Sequence, residues 1–480
     1  MMTCADYRKD LIGDVIEKWA SAAPEHAAVR WTEGGQLIEK TYGTLQSDIK
    51  ACAERYLSSY HNRRVALCGK QDYRFLVLLL AVIQSGNSAA VVTDFAGNPE
   101  NREILESIRT AAYFTYDGSD IRACEDPRFV SGRAEPQPGN DREAVVLLTS
   151  GMTGRKKCVS LSHRNLLFDA HAICKMIAFD LPVERRLIYG FLPFSHAFSL
   201  QANILCPLYV GGTVCLGTNP ARFSEELALL RPEFCIAVPQ MIKGILGRLR
   251  AAHIEKIDTF PTVFCGGAGL SADATAIMAA HGVNVLQGYG TTECSPIISI
   301  NPPSDNRFGS AGKVLEGMDV RILNNEILVK GDNVFRGYVN DDAAASEVFI
   351  DGYYRTGDTG YTDKDGYLYL TGRIKTTIIL PTGENISPDA LEEKLMSSPD
   401  IEDAYVHEST GGAMGCVAAA VYSASAPEKV IETVLEFNRV VEPYERIRLL
   451  EFTEAPLERT ELGKIRRLQH YQVIRRERIS

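Results

Sequence analysis

The chain has 480 residues, of which 45% are apolar and 23% charged, with 39 glycines and 21 prolines. This is ordinary globular usage, which excludes disordered, collagen-like and low-complexity chains. The length predicts two or three packed units. The formal net charge is −10, so the whole molecule does not match a polyanion and nucleic acid is not expected as a partner.

The twelve cysteines stand singly between Cys4 and Cys416, without a C-x-x-C pair or a Cys/His cluster at zinc-ligand spacing. They predict reduced, mostly buried thiols in a cytoplasmic protein. The longest apolar run, at 75–83, has nine residues, whereas a membrane span needs about twenty. We therefore expect a core helix there and no integral membrane association. The N-terminal MMTCADYRKD has no apolar stretch, so no export signal is expected.

Short Val/Ile-rich runs alternate with helical stretches through the first three fifths of the chain, as in β-α-β units with parallel sheets. Several of the predicted strands end in glycine-rich or polar turns, which is where open α/β sheets bind ligands. The predicted strands are RVALCG near Val65, AAVVTDF near Val91, AVVLLT at 144–149, FCIAVP at 234–239, TVFCGGA at 262–268 and VNVLQGYG at 283–290.

Beyond about Ser310 the pattern changes to short alternating segments with frequent turns, VRILNNEILVKG and DKDGYLYLTGR, which predict antiparallel strands. From about Thr376, a helix (DALEEKLMSS) and a strand (CVAAAVYS) predict a small α+β domain. The tail from Lys464 to Ser480 has six Lys or Arg and one Glu, a net of +5. We predict an exposed helix there, not a membrane-binding patch.

The first chemical motif is TSGMTGRKKCVSLSH at 149–163, directly after the AVVLLT strand. Hydroxyls, glycines with accessible N–H groups and paired lysines are what a triphosphate-holding loop needs. The spacing differs from G-x-x-x-x-G-K-[ST], which excludes a P-loop NTPase. Alone, such a turn is more often a plain solvated loop, so its interpretation depends on the motifs that follow.

Six further motifs follow in order along the chain. They are FLPFSHAFSL at 191–200, CGGAGLS at 265–271, GYGTTECSP at 288–296, YRTGD at 354–358, GRIKTTIILPTGENISPDALEE at 372–393 and LERTELGKIRR at 457–467. The ordered set resembles the adenylate-forming (AMP-binding) superfamily of acyl-CoA synthetases, nonribosomal-peptide adenylation domains and luciferases. TEGGQLIEKTYGTL near Thr32 and LAVIQSGNSAAVVTDF from Leu80 also look like early segments of that family, so the resemblance spans nearly the whole chain.

The resemblance implies a two-step ligation. A carboxylate attacks the α-phosphate of Mg·ATP to give an acyl-adenylate and pyrophosphate, and a thiol then displaces AMP to give a thioester. The nucleotide-binding residues that it implies are Thr149, Ser150, Gly151, Thr153, Gly154 and Lys157 in the phosphate loop, and Gly267, Ala268 and Tyr289 against adenine.

By the same resemblance, Thr292 contacts the α-phosphate and Glu293 holds Mg²⁺, a hard cation that takes carboxylate and phosphate oxygens. Asp358 accepts the two ribose hydroxyls and Arg373 supports the ribose. Standing alone, Glu293 would be equally consistent with a helix-start carboxylate, and Asp358 would be more consistent with a plain turn residue. Their places in the motif order favour the ligand-binding interpretations.

His196 matches the family position that lines the acyl pocket near the carboxylate, and its alternative is a core histidine. Lys464 matches the family's catalytic lysine, whose ammonium stabilises the charge that develops between carboxylate and α-phosphate. The alternative for Lys464 is a solvated lysine in a basic tail.

The fold implied is α/β, with a large multi-sheet N-terminal domain at 1–372 that carries the ATP and acyl sites. A hinge at 373–375, with Lys375 at its pivot, connects it to a small mobile α+β lid at 376–480. Three residues of the phosphate motif depart from the family pattern: Met152 replaces a usual hydroxyl residue, Lys156 a common proline and Cys158 a common glycine. We expect slower adenylation at worst.

The amino-acid-activating relatives place an aspartate in the segment at 191–199, and this chain has none there. This favours an acid without an α-amino group, and Phe194, Phe198 and Ala268 fit an apolar tail. The motifs look most like those of fatty acyl-CoA synthetases, although the two phenylalanines would stack on an aryl acid equally well. The predicted thiol is coenzyme A, with carrier-protein phosphopantetheine as the alternative. A degenerate, non-catalytic adenylate-binding protein is the alternative from another class.

Overall fold

The computed structural model describes residues 5–92, 99–124, 139–150, 156–177, 182–218, 222–252, 257, 262–374, 376, 378–379, 385–409, 416–459, 465 and 471–479. The chain forms two compact units. The larger unit comprises Met1–Arg321 and Leu328–Arg355, and the smaller unit comprises Ile322–Ile327 and Thr356–Ser480. A large α/β N-terminal part with several sheets and a small α+β C-terminal part are therefore confirmed. The bounds 1–372, 373–375 and 376–480, and the mobility of the lid, stay predictions.

The helices are, in chain order, α1 Ile12–Ala22, α2 Tyr42–Tyr56, α3 Tyr73–Gln84, α4 Pro99–Ser107, α5 His163–Ile177, α6 Cys206–Tyr209, α7 Phe223–Leu230, α8 Pro239–Ala252, α9 Ala272–Ala280, α10 Asp342–Glu347, α11 Pro388–Leu395 and α12 Pro427–Val440. A π-helical segment, Ser199–Leu205, leads into α6.

The strands of the larger unit and of its continuation are β1 Ala27–Glu33, β2 Gln36–Thr41, β3 Arg64–Gly69, β4 Ser88–Val91, β5 Ala112–Tyr116, β6 Ile121–Cys124, β7 Glu143–Ser150, β8 Lys156–Ser162, β9 Leu187–Gly190, β10 Thr213–Leu216, β11 Phe234–Ala237, β12 Thr262–Cys265, β13 Asn284–Gly290, β14 Ile297–Ile300, β15 Lys313–Val314, β16 Asp319–Leu323, β17 Glu326–Lys330, β18 Phe349–Ile350, β19 Tyr353–Thr362 and β20 Leu368–Arg373. The remaining strands are β21 Ile378–Ile379, β22 Asn385–Ile386, β23 Asp403–Ser409, β24 Cys416–Tyr422, β25 Leu449–Thr453 and β26 Val473–Arg478.

Two large sheets form the larger unit. One has the order β6-β5-β3-β4-β7-β8, and the other has the order β15-β14-β13-β12-β11-β9-β10-β1-β2. Their central strands pair in parallel, as the buried Val/Ile runs predict, because strands covered on both faces need apolar residues at successive positions. Antiparallel strands such as β8 and β14 flank the parallel centres.

The apolar run at 75–83 forms most of α3, and its side chains are all buried. The Asp72 side chain caps this helix by accepting hydrogen bonds from Arg74 N (2.9 Å) and Phe75 N (3.4 Å). The predicted core helix is therefore confirmed. Within the described part of the chain, no helix is long and apolar enough to cross a membrane. The ten cysteines of that part are free thiols, eight of them buried, as predicted.

The short segments after Ser310 are antiparallel strands, as expected: β18 and β20 each pair antiparallel with β19. In sheet order, β16, β17, β19 and β18 follow one another, with β20 paired to β19. Asn324 and Asn325 connect β16 to β17 with φ values of +49° and +66°, a backbone conformation that asparagine tolerates better than most residues. This region therefore agrees with the sequence pattern.

The last hundred residues contain the four-stranded sheet β23-β24-β25-β26, with α11 and α12 contributing to the same apolar core. The prediction of an exposed helix in the basic tail was wrong for residues 473–478, which form β26 and pair antiparallel with β25. The backbone pairing with β25 explains the strand, and one side-chain contact accompanies it, in which Arg476 Nε donates to Glu451 Oε1 at 2.8 Å. The charge pattern of the tail alone does not reveal this pairing.

Candidate active site

The site of the larger unit lies where neighbouring parallel strands end. Strands β9, β11, β12 and β13 are adjacent and parallel in that order, so their carboxyl ends share one edge of the sheet. The predicted acyl-pocket segment follows β9, Gly266–Ala268 follow β12, and the turn with Glu293 follows β13. The topology thus brings three separate motifs to one sheet edge.

The glycine-rich segment after β12 lies close to the predicted acyl pocket. Gly266 N donates to Ala237 O at 3.3 Å, and a Cβ on Gly266 would lie 3.4 Å from the Phe198 ring. Gly267 has φ +89°, a conformation that favours glycine. Gly267 and Ala268 are both exposed. Their surface is therefore accessible to a ligand, as the adenine role requires, and that role stays a prediction.

A tight turn at Thr292–Cys294 carries Glu293 out of β13. The turn needs glycine at its start, because a Cβ on Gly290 would lie 1.8 Å from the Pro296 carbonyl oxygen. The fully buried Asn333 binds the end of the turn. Its Nδ2 donates to Cys294 O at 3.1 Å, and Ser295 Oγ donates to Asn333 O at 2.7 Å. The turn that presents Glu293 is thereby fixed from both ends.

The Glu293 carboxylate and the Lys157 ammonium both contact Tyr338. The Tyr338 hydroxyl donates to Glu293 Oε1 at 3.0 Å, and Lys157 Nζ lies 4.3 Å from the Tyr338 ring centroid, within cation–π range. Burial, and next the negative charge of Glu293, raise the pKa of Tyr338. Tyr338 is therefore a neutral hydrogen-bond donor at physiological pH.

Lys157 is placed by the hairpin of β7 and β8, in which it lies opposite Thr149. Thr149 Oγ1 donates to Lys157 O at 3.5 Å. The next residue, Cys158, points into the apolar core beside Val146 and Ala90, and burial raises the pKa of its thiol to about 12. Cys158, where the family commonly has glycine, thus lies on the core side of β8 and faces away from Lys157, since successive strand residues face opposite sides.

Asp358 and Arg373 lie together in the smaller unit. They are paired residues of β19 and β20, and Arg373 Nε approaches Asp358 Oδ1 to 2.7 Å. The carboxylate side chain is 4% exposed and the guanidinium side chain 38%. Thr356 Oγ1 also accepts a hydrogen bond from Asp358 N at 3.1 Å. The two residues predicted to hold a ribose are therefore adjacent, and the ribose contact stays a prediction.

His196 is half-buried and lies in the loop after β9, where its backbone N–H donates to Pro193 O at 3.0 Å. Thr292 is half-buried and Tyr289 is buried, the latter opposite Ser299 across β13 and β14. Their roles toward a substrate stay predictions. Several predicted site residues fall outside the described residues: Gly151, Thr153, Gly154, Lys375, Lys464, and with them Met152 and the side chain of Ser150.

The sequence motifs missed Tyr338, which contacts two of the predicted site residues, and Asn333, which fixes the turn of a third. A signal was present in the sequence, since the aromatic residues Phe335 and Tyr338 stand three residues apart in the segment NVFRGYVND. Their rings contact each other in the structure, with centroids 4.9 Å apart and an angle of 70° between the ring planes.

Among the described residues, no group of three or more His, Cys, Asp or Glu side chains could enclose a metal ion. A single carboxylate such as Glu293 suits Mg²⁺, which is commonly held by one or two carboxylates, waters and the phosphates of a substrate. The residues present therefore fit magnesium arriving with a nucleotide.

Comparisons with known proteins identify the family and the fold of this chain. The family model described as "AMP-binding enzyme" matches residues 16–339. A feruloyl-CoA synthase of an Amycolatopsis species is 29% identical over 427 residues, which cover 82% of this chain and 85% of the relative. A long-chain-fatty-acid–CoA ligase of Mycobacterium bovis is 26% identical over 386 residues, covering 70% of this chain and 63% of that protein.

Among solved structures, an o-succinylbenzoate coenzyme A synthetase from Bacillus subtilis, in complex with ATP and a magnesium ion, has a TM-score of 0.80 to this chain. It is 22% identical, and the match covers 95% of this chain and 98% of that one. At this identity the likeness establishes the fold. The resemblance predicted from the seven motifs is thus confirmed by the family match and by the fold.

Proposed function

Because this chain belongs to the AMP-binding enzyme family, matched over residues 16–339, we propose that it activates a carboxylic acid with ATP and passes the acyl group to a thiol. In the first step the carboxylate oxygen bonds to the α-phosphorus and the bond to the β-phosphate breaks, which releases pyrophosphate. In the second step the thiol sulfur bonds to the carbonyl carbon, AMP leaves and the thiol proton is lost to solvent or a base.

The observation that carries the proposal is the meeting of Lys157 and Glu293 around one tyrosine, at 4.3 Å and 3.0 Å. An ammonium is a compact charge that attracts phosphate oxygens, and a carboxylate is the ligand that a phosphate-bound Mg²⁺ requires. Glu293 is the residue that would hold the ion, which when bound would neutralise phosphate charge. In the described part of the site, both charges that an ATP phosphate group needs are thus present.

The acid that we propose has an apolar body. Phe198, in the predicted acyl-pocket segment, lies against Gly266 at the sheet edge, where a Cβ on Gly266 would be 3.4 Å from its ring. The relatives named above act, by their names, on an aryl acid and on long-chain fatty acids. Apolar acids of both kinds are therefore the substrates to test.

The thiol that we propose is coenzyme A, since both relatives are named for CoA thioester formation. A carrier-protein phosphopantetheine is the alternative acceptor, because it offers the same thiol. We further propose that the reaction takes place in the cytoplasm and that a lid at 376–480, turning at 373–375, presents Lys464 during the first step and withdraws it for the second.

A carboxylic-acid panel scored by pyrophosphate release tests the function. The panel contains saturated fatty acids of increasing length, hydroxycinnamic acids and free α-amino acids, with acid-free reactions as background. We expect release with apolar acids and none with α-amino acids, because no aspartate at 191–199 can pair an ammonium. Added CoA should then give a thioester with the same acids.

The outcomes separate the alternatives. An α-amino acid as the best substrate would contradict the pocket argument. Pyrophosphate release without thioester formation from CoA would favour a carrier protein as the acceptor. An enzyme that releases no pyrophosphate with any acid, although it binds ATP, would be the non-catalytic adenylate-binding protein.

A further inference from the structure

Tyr338 contacts the two charged residues of the site, and neither the motifs nor the family match assigns it a role. We propose that Tyr338 is a positioning residue that holds Lys157 and Glu293 in the arrangement needed for Mg·ATP. The proposal rests on the proposed function, because it concerns the nucleotide site of that reaction.

The backbone of Tyr338 is attached to the strand that carries Lys157. Tyr338 forms an antiparallel bridge with Val159, and Val339 N donates to Cys158 O at 2.9 Å. The Tyr338 side chain is 7% exposed, so it has little freedom to turn away from this position. Tyr338 and Lys157 are thus held together through the backbone as well as through the ring.

The segment of Tyr338 is also attached to the turn of Glu293. Phe335 N donates to Glu293 O at 2.8 Å, and the Phe335 ring packs edge-on against Tyr338. Residues 335–339 therefore bind both the strand of Lys157 and the turn of Glu293. A displacement of either charged residue would break contacts of this one segment.

The chemistry of the tyrosine suits this position. Among the described residues, no ion pair joins Lys157 to Glu293, and the side chain of each contacts Tyr338. A direct pair would neutralise both charges, whereas the negative ring face attracts the ammonium and the hydroxyl binds the carboxylate without cancelling its charge. Both charges consequently stay available, one for phosphate oxygens and the other for a cation.

The test compares two variants by calorimetric titration of ATP, with Mg²⁺ and with EDTA. Tyr338→Phe keeps the ring and removes the hydroxyl, so the tightening of ATP binding by Mg²⁺ should fall by about tenfold. Its ATP affinity in EDTA should stay within about twofold of wild type, since Lys157 keeps its ring contact. Tyr338→Leu should in addition weaken ATP binding in EDTA by about two- to fivefold, because the cation–π contact is lost.

Tyr353→Phe is the matched control. Tyr353 also donates its hydroxyl to a carboxylate, Asp319, and has cations over its ring, with Arg321 Cζ at 4.5 Å and Lys330 Nζ at 5.4 Å from the centroid. It lies outside the proposed site, so its variant should bind ATP like wild type in both buffers. Thermal melting of each variant checks folding, and Tyr338→Phe alone decides the proposal if Tyr338→Leu does not fold.

The outcomes distinguish this proposal from the proposed function. A wild-type protein that binds no ATP in either buffer would overturn the proposed function. Wild-type binding together with an unchanged effect of Mg²⁺ in Tyr338→Phe would overturn the positioning role alone. Equal losses with and without Mg²⁺ in Tyr338→Phe, or the same loss in Tyr353→Phe, would also overturn it, because a merely structural tyrosine would act in that way.

Discussion

Two carboxylates predicted to serve the same nucleotide are held in different ways. In the larger unit, Glu293 accepts a hydrogen bond from the neutral Tyr338 hydroxyl at 3.0 Å. In the smaller unit, Asp358 forms an ion pair with the Arg373 guanidinium at 2.7 Å. The first carboxylate thus has a neutral hydrogen-bond donor as its partner, and the second has a cationic one.

The difference indicates what each site can bind. An uncompensated carboxylate attracts a cation, as the proposed magnesium role of Glu293 requires. A carboxylate paired with arginine has little net field, but it still has lone pairs for neutral hydroxyl donors such as those of a ribose. We therefore expect Mg²⁺ to matter for changes at Glu293 and not for changes at Asp358, and each of the following experiments probes that contrast.

The largest effect is expected from Lys464, which the family resemblance assigns to chemistry and not to nucleotide binding. Lys464→Ala should lower acyl-adenylate formation about 100- to 1,000-fold, because a charge that stabilises the transition state is lost. ATP affinity, with or without Mg²⁺, should change little. The measurement is single-turnover kinetics of both half-reactions, with acyl-adenylate supplied for the second.

Lys429→Ala serves as the control for Lys464, since Lys429 pairs with Asp400 at 2.6 Å in the same unit and has no predicted role. Equal losses in adenylation and in thioester formation for Lys464→Ala would contradict the assignment. Weakened ATP binding by Lys464→Ala would also contradict a purely catalytic role, because Lys464 would then contribute to nucleotide affinity.

The next largest effect is expected from Glu293→Gln, which removes the charge and keeps the shape. Pyrophosphate release should need about ten- to a hundredfold more Mg²⁺, equivalent to roughly 1.5–3 kcal/mol for one charge-assisted contact. A magnesium titration at fixed ATP measures the change. Glu316→Gln is the control, because Glu316 is an exposed carboxylate paired with Lys175 at 2.6 Å. An unchanged magnesium requirement would remove Glu293 from the metal site.

A smaller effect, of about tenfold on ATP affinity, is expected from Asp358→Ala through loss of the ribose contact. This loss should be the same with Mg²⁺ and with EDTA, in contrast to that of Glu293→Gln. Asp363→Ala is the control on the same hairpin, where Asp363 Oδ1 accepts hydrogen bonds from Asp365 N and Tyr367 N, both at 2.9 Å. If Asp358→Ala lowered ATP affinity with Mg²⁺ but not with EDTA, the proposed difference between Asp358 and Glu293 would be wrong.

The fold class, many strands and several site residues could be predicted from the sequence, because each depends on a pattern of a few neighbouring residues. Buried strands such as β3, β12 and β13 follow from short Val/Ile runs that end in glycine. Glu293 and Lys157 follow from motifs of a few residues each. The α/β fold class follows from the alternation of such strands with helices.

The rest depends on contacts between distant parts of the chain. Tyr338 and Glu293 are 45 positions apart in the sequence, and no short pattern around either residue predicts that they are in contact. Strand β26 likewise exists because β25 offers it a partner, whereas the six basic residues of the tail suggested a solvated helix. Pairing and packing of this kind override local propensity.

The last prediction concerns stability and not activity, at Asp169, a third carboxylate, which has neither a guanidinium nor a tyrosine hydroxyl as a partner among the described residues. It is fully buried, and its Oδ2 accepts a hydrogen bond from Ile297 N at 3.4 Å, three residues after the turn of Glu293. Burial raises the pKa of Asp169 well above its ordinary value of 3.8. Of the three ways of holding a carboxyl group, this one favours the protonated form.

Since the native state retains the Asp169 proton to a higher pH than the unfolded state does, the native state binds more protons at any pH above about 3.8 and below the raised value. The free energy of unfolding must then fall as the pH rises through that window, by at most about 1.4 kcal/mol per pH unit. Asp169→Asn removes this proton, so its thermal midpoint relative to wild type should rise as the pH increases above 5, until the pH passes the native-state pKa of Asp169. Melting curves of both proteins across that range measure the trend. A constant difference between the two midpoints would show that Asp169 is ionised in the native state, and the molecule would then hold all three carboxylates as charges.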